Sequence, residues 1–191
     1  MRYLLYSLAF LLAFCSAKNE SQLDKLEEAK TYVKANSMDS SIVILIDMKI
    51  HSGKKRFNVY DIQNDSLLIS GLVSHGCCGK EWAEDESKEN PVFSNVPNSH
   101  CSSLGKYKIG ERGYSNWGIN VNYRLHGLEI TNSKSNSRDI VLHSWELVSD
   151  DEVYPQGTPE GWGCPALSNN VMRKVDALLK GRNNVLLWIY K

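Results

Sequence analysis

The chain has 191 residues, and its 22 lysines and arginines equal its 22 aspartates and glutamates, giving a formal charge of zero. That balance argues against a nucleic-acid or anionic-membrane partner. No repeat, low-complexity tract or long linker interrupts the chain.

The first residues, "MRYLLYSLAFLLAFCSAKNE", have a basic start at Arg2, an apolar run from Leu4 to Phe14 and a small-residue patch at Cys15-Ser16-Ala17. This is the pattern of a signal peptide over 1–17, cleaved after Ala17. The run is shorter than the roughly 20 apolar residues of a spanning helix, so no transmembrane helix is expected in the mature chain. Bulky Phe14 makes a lipid anchor at Cys15 the less favoured alternative. Roughly 170 residues then remain, enough for one compact domain.

A helical segment is expected over 18–40, where Leu23, Leu26, Ala29 and Val33 recur at helical spacing among charges. The texture then changes. "SIVILIDM", "RFNVYDI", "SLLISGLVS", "KYKIGE", "NYRLHGLEIT" and "DIVLHSW" are short, β-branched or alternating runs separated by Gly, Asn and Ser. They predict a mainly β domain over 41–191, largely antiparallel, with flanking helices (α+β). "KEWAEDESKENPVFSNVPN" breaks the rhythm, and its carboxylates lack calcium-ligand spacing, so it reads as a surface loop. "SNNVMRKVDALLKG" predicts a second helix with Ser168 as cap and Gly181 at its end, and "VLLWIYK" a last strand.

The chemistry concentrates in "IVLHSWELVSDDEVYPQGTPEGWGCPALS". A thiol of ordinary pKa, about 8.5, is only a few per cent thiolate at neutral pH. A histidine partner raises that fraction about thirtyfold, worth ~2 kcal/mol of barrier. His143 ends an apolar strand, where its ring can project at the rim. Pro165 has no N–H and biases Cys164 toward extended dihedrals. An oxyanion hole must therefore use the amides of Cys164 and of Gly163 or Trp162. Gly163 permits an unusual backbone dihedral there. The bland alternative is a small buried cysteine. His before Cys in the chain excludes the papain order.

His75, Cys77, Cys78, His100 and Cys101 lie in "SHGCCGK" and "NSHCSSLG". They admit a disulfide from Cys101 to Cys77 or Cys78, free thiols or a metal site. The spacing is not a pair of zinc knuckles, and an exported chain favours the disulfide. His126, inside an apparent strand, reads as structural, and His51 as a solvated turn residue.

"IVLHS" followed by "GWGCPALS" resembles the catalytic signature of L,D-transpeptidases, the YkuD-like murein transpeptidases, in the branch ending Gly-Cys-Pro-Ala. "IDMKIHSGKKRFNVYDI", "LVSHGCCGK", "FSNVPNSHCSSLGKYKIGE" and "RLHGLEI" extend the likeness over most of the chain from Ile42 to Leu167. The resemblance implies a barrel-like or sandwich-like mixed sheet acting on peptidoglycan stem peptides, with no cofactor and no metal, in the bacterial periplasm or envelope. Cys164 would be the nucleophile and His143 the base, with Ser144 orienting the imidazole through its carbonyl or hydroxyl. Arg138, Gly161, His75, Ser102 and Ser103 would line the substrate cleft, and Trp162 would cover it. Glu160 and Gly161 depart from the arginine and serine of many relatives, which reopens how the substrate carboxylate is held. The resemblance implies attack on a tetrapeptide stem, release of D-alanine and transfer of the acyl group to an amine, giving a 3-3 cross-link; hydrolysis of the same acyl-enzyme and an inactive wall-binding module are the alternatives.

Overall fold

The computed structural model describes residues 22–79 and 90–191. The expected signal peptide, with Cys15, and the 80–89 part of the acidic stretch lie outside the described residues.

Helix α1 covers 22–35. Leu26, Ala29 and Val33 form its buried face, and Leu23, expected on that face, is exposed. This face packs on Val43, Leu45 and Leu186 of the sheet, so the helix belongs to the same folded unit as the strands.

The strands are β1 (Ile42–Asp47), β2 (Phe57–Asp61), β3 (Ser66–Gly71), β4 (Gly105–Tyr114), β5 (Val121–Gly127), β6 (Val141–Ser144), β7 (Ala166–Leu167) and β8 (Leu186–Tyr190). They form one eight-stranded sheet in the order β3-β2-β1-β8-β4-β5-β6-β7. Most pairs are antiparallel, but β1 pairs with β8 and β6 with β7 in parallel, so the sheet is mixed. β1 is an unbroken apolar run because both its faces are covered. Val43 and Leu45 meet α1, while Ile42, Ile44 and Ile46 enter the main core.

Helix α2 (Asn169–Leu179) adds Val171, Met172, Val175 and Leu179 to that main core. Ser168 caps it by accepting from the Val171 amide at 3.2 Å, a bond worth about 1 kcal/mol. The two-residue strand β7 had no recognisable pattern in the sequence.

The sheet order leaves β3 and β7 as its edges, and their extensions meet. The Ser74 amide donates to the Ala166 carbonyl at 2.9 Å, and the Ala166 amide to Ser74 Oγ at 3.2 Å. Farther along, the Gly161 amide donates to the His75 carbonyl at 2.8 Å, and the Cys77 amide to the Gly161 carbonyl at 2.9 Å. These bonds draw the sheet nearly into a barrel, and the residues before β7 form the seam. Among the described residues no helix is long and apolar enough to cross a membrane.

Candidate active site

Strand β6 alternates: Leu142 and Ser144 are buried, while Val141 and His143 are half-buried on the opposite face. The parallel register pairs His143 with Ala166 and Ser144 with Leu167. Cys164, two residues before Ala166, therefore lies beside Val141. Its Sγ accepts from the Val141 amide at 3.4 Å. Pro165 contributes its carbonyl to the seam, accepting from the His143 amide at 3.3 Å. Cys164 and His143 thus come together through strand register, on the wall of a cavity of about 620 Å³.

The His143 Nδ1 lies 3.0 Å from the Ser144 carbonyl oxygen. It is the carbonyl of Ser144 that faces the ring. The hydroxyl turns away to accept from the Ile119 amide at 3.0 Å, tying down the β4–β5 loop. Burial pushes the imidazole below its ordinary value, and the Ser144 bond only partly opposes this. Burial likewise pushes the Cys164 thiol up, opposed by the Val141 N–H and the positive charge of Arg138. Both groups are held in their neutral forms.

Gly163 has φ of +103°, and a Cβ there would stand 2.5 Å from the Cys101 carbonyl oxygen. Only glycine fits comfortably. Among the described residues, no acceptor takes the amide N–H of Trp162, Gly163 or Cys164. Trp162 is exposed at the cavity rim and stacks on His100, with ring centroids 4.7 Å apart and planes 9° from parallel. Gly161 also lines the cavity, and a Cβ there would meet nothing within 4 Å. A serine would fit without displacement.

The remaining expected cleft residues stand elsewhere or act differently. His75, Ser102 and Ser103 are buried and do not line the cavity. Ser102 Oγ instead donates to the Gly163 carbonyl at 3.0 Å and accepts from the Gly76 amide at 3.1 Å. Ser103 Oγ donates to the Ser94 carbonyl at 2.8 Å and accepts from Arg138 at 2.6 Å. Arg138 does line the cavity, but its guanidinium also donates to the carbonyls of Ser94 at 3.0 Å and Cys101 at 2.5 Å. It holds together the loops behind Gly163. His75, Ser102 and Ser103 thus stand behind the cavity surface, which of these residues only Arg138 reaches.

A disulfide joins Cys78 to Cys101, resolving the choice left open by the sequence, and Cys77 is a buried free thiol. His126 faces Glu111 at 3.2 Å, and His51 Nδ1 accepts from the Gly53 amide at 3.0 Å. Sequence reasoning missed Trp117 and Trp145, which line the cavity and pack edge to face at 6.2 Å. Nothing in "SNWGIN" beyond a tryptophan in a polar turn marked Trp117.

A mainly β domain with a thiol and an imidazole on one cavity wall is the class defined by fold and site. The chain belongs to the L,D-transpeptidase catalytic domain family, whose model matches residues 16–190. Among solved structures it is similar to the helical cell shape determining protein Pgp2 from Campylobacter jejuni, at 13% identity and TM-score 0.49, covering 79% of this chain and 48% of that one. It is also similar to an L,D-transpeptidase from Mycobacterium smegmatis, at 12% identity and TM-score 0.45, covering 79% of this chain and 59% of that one. A third is an L,D-transpeptidase from Xylanimonas cellulosilytica, at 12% identity and TM-score 0.42, covering 80% and 61%. The chain therefore spans about half to three-fifths of those proteins. Comparison with curated proteins found no match.

Proposed function

We propose that the chain is an exported cysteine acyltransferase, a peptidoglycan L,D-transpeptidase acting on tetrapeptide stems in the cell envelope. Family membership supports the class of reaction. The observation that carries the residue assignment is the β6–β7 register, which sets Cys164 Sγ against the Val141 amide on the strand that presents His143.

Because a carbonyl only accepts, the proton of neutral His143 sits on Nδ1 toward Ser144, leaving Nε2 as the base. Nε2 takes the thiol proton as Cys164 attacks the carbonyl of the third stem residue. The Val141 N–H favours the developing thiolate. The unclaimed amides of Gly163 and Cys164 receive the oxyanion, a contribution worth about 10² to 10³ in rate. His143 then protonates the departing amine of D-alanine, and a thioester remains on Cys164. An amine of a neighbouring stem attacks the thioester, His143 takes its proton, the bond to the Cys164 sulfur breaks and the proton returns to that sulfur, leaving a 3-3 cross-link and the free thiol. Every step is proton transfer or carbonyl addition, so the chemistry calls for no metal or redox cofactor.

The test is intact-mass analysis of the mature protein with a carbapenem, beside Cys164→Ala. An adduct on the wild type alone supports the reading. No adduct on a folded, reduced wild type would favour a wall-binding module. Incubation with tetrapeptide stems then separates transfer from hydrolysis, since a carboxypeptidase yields tripeptide without dimer.

A further inference from the structure

Glu160 opens the turn that ends in Cys164, and it is wholly buried. Its Oε1 lies 3.2 Å from His75 Nε2, and both side chains are fully enclosed. The far side of the same imidazole meets Arg56, whose Nη2 is 2.9 Å from His75 Nδ1. A guanidinium only donates, so Nδ1 holds a lone pair and the imidazole proton is on Nε2, close to Glu160 Oε1 but outside hydrogen-bond geometry. Arg56 is also fully buried and is fixed by the carbonyls of Val73, at 2.9 and 3.2 Å, and Ile50, at 3.1 Å. Arg56, His75 and Glu160 thus form an enclosed chain with a positive charge at one end and a carboxylate at the other. A buried carboxylate without such a partner is strongly disfavoured.

The chain of charges ends where the chemistry begins. His75 meets the turn at two points: its ring stands 3.2 Å from the Glu160 carboxylate, and its carbonyl accepts from the Gly161 amide at 2.8 Å. At the other end of the turn Ser102 Oγ holds the Gly163 carbonyl at 3.0 Å. Between these anchors lie the unclaimed amides. None of Arg56, His75 and Glu160 lines the cavity.

We propose that Glu160 is a positioning residue: tied through His75 to Arg56, it fixes the direction of the Gly163 and Cys164 amides, and so promotes carbonyl addition at Cys164 without touching substrate or thiol. The proposal rests on the assignment of Cys164 as nucleophile made above. The neighbour of the Glu160 carboxylate is an imidazole nitrogen 3.2 Å away, backed by a guanidinium.

Two reagents separate amide positioning from simple folding. A carbapenem acylates Cys164 through carbonyl addition and uses the oxyanion amides; iodoacetamide alkylates the same sulfur by displacement and does not. Rate constants for both would be read at the Cys164 peptide by mass spectrometry, with melting temperatures alongside, for the wild type, Glu160→Gln and Glu160→Asp. The expected result for Glu160→Gln is an acylation rate reduced about tenfold or more, with alkylation within about twofold of wild type. Glu160→Asp keeps the charge but withdraws it by one methylene, so it should show the same pattern more weakly. It carries the test if Glu160→Gln does not fold. Unchanged acylation would overturn the proposal, as would acylation and alkylation falling together. A wild type that is alkylated but never acylated would overturn the nucleophile assignment itself, and this proposal with it.

Discussion

The imidazole of His143 is oriented by the next residue of its own strand, with Nδ1 3.0 Å from the Ser144 carbonyl oxygen. A carboxylate in that place would favour the imidazolium. A neutral carbonyl sets the tautomer with much less effect on basicity, and burial then dominates, holding the ring below its ordinary value. With the thiol pushed up by burial as well, the resting pair is thiol and imidazole rather than thiolate and imidazolium.

That resting state predicts a pH profile. Because the folded His143 pKa lies below its ordinary 6.5, the base stays neutral at pH 7 and protonates only in more acidic solution. Carbapenem acylation should therefore be flat near neutrality and decline below pH 6.5. Alkylation by iodoacetamide, which needs thiolate, should keep rising past the ordinary thiol value, because burial pushes this thiol up. Stability has the same sign at His143. The unfolded chain takes up the proton first, so this contribution is present above 6.5 and is lost as pH falls through the lower folded value. An alkylation rate that levels off near pH 6 would show a preformed ion pair and refute this picture.

Arg138→Met should behave as a structural lesion. The guanidinium satisfies the Ser94 and Cys101 carbonyls and the Ser103 hydroxyl. Its removal should cost about 2–3 kcal/mol in urea unfolding, with little change in KM for a tetrapeptide stem. A variant of native stability whose KM rises would instead make Arg138 the substrate's carboxylate anchor.

Gly163→Ala joins a left-handed backbone, φ +103°, to a Cβ placed 2.5 Å from the Cys101 carbonyl oxygen. The expected loss is about 1–3 kcal/mol in thermal or denaturant unfolding, with acylation of Cys164 impaired as well. By contrast, Gly161→Ser should leave stability unchanged within about 0.5 kcal/mol, because space is open there.

The Cys78–Cys101 disulfide closes a loop of sequence separation 23. The entropic model assigns about 3 kcal/mol to such a loop, so Cys101→Ser should lower the melting temperature measurably. Cys77, with only 1% of its surface exposed, should resist alkylation in the native wild type and react on unfolding. Rapid native labelling of Cys77 would mean that the 75–78 segment opens readily.

Much of the fold was readable because its cues are local. The helical spacing of Leu26, Ala29 and Val33 and the cap at Ser168 are written within a few residues of where they act. So is the apolar texture of β1. The thiol and the imidazole were suggested by the constrained Gly163-Cys164-Pro165 turn and by a histidine at a strand end, and the family likeness sharpened both. What the sequence did not reveal depends on distant pairing. β7 is too short to carry a period and exists through its neighbour β6. His75, Ser102 and Ser103 were expected at the cleft surface, yet the seam buries them, and burial of a loop residue leaves no local trace. Arg56 was invisible for the same reason: an arginine among "GKKRF" looks solvated until both ends of the sheet are in place.

The residues that bring β3 and β7 toward each other have a second effect, on how molecules meet. Open sheet edges offer unpaired N–H and C=O groups to another chain and invite strand-to-strand association. Here part of that liability is occupied by the Gly161 to Ala166 stretch, whose amides and carbonyls engage Ser74, His75 and Cys77. Substitutions that loosen this stretch should therefore surface first as poor solubility at high concentration, and a variant's yield should be weighed before its turnover is interpreted.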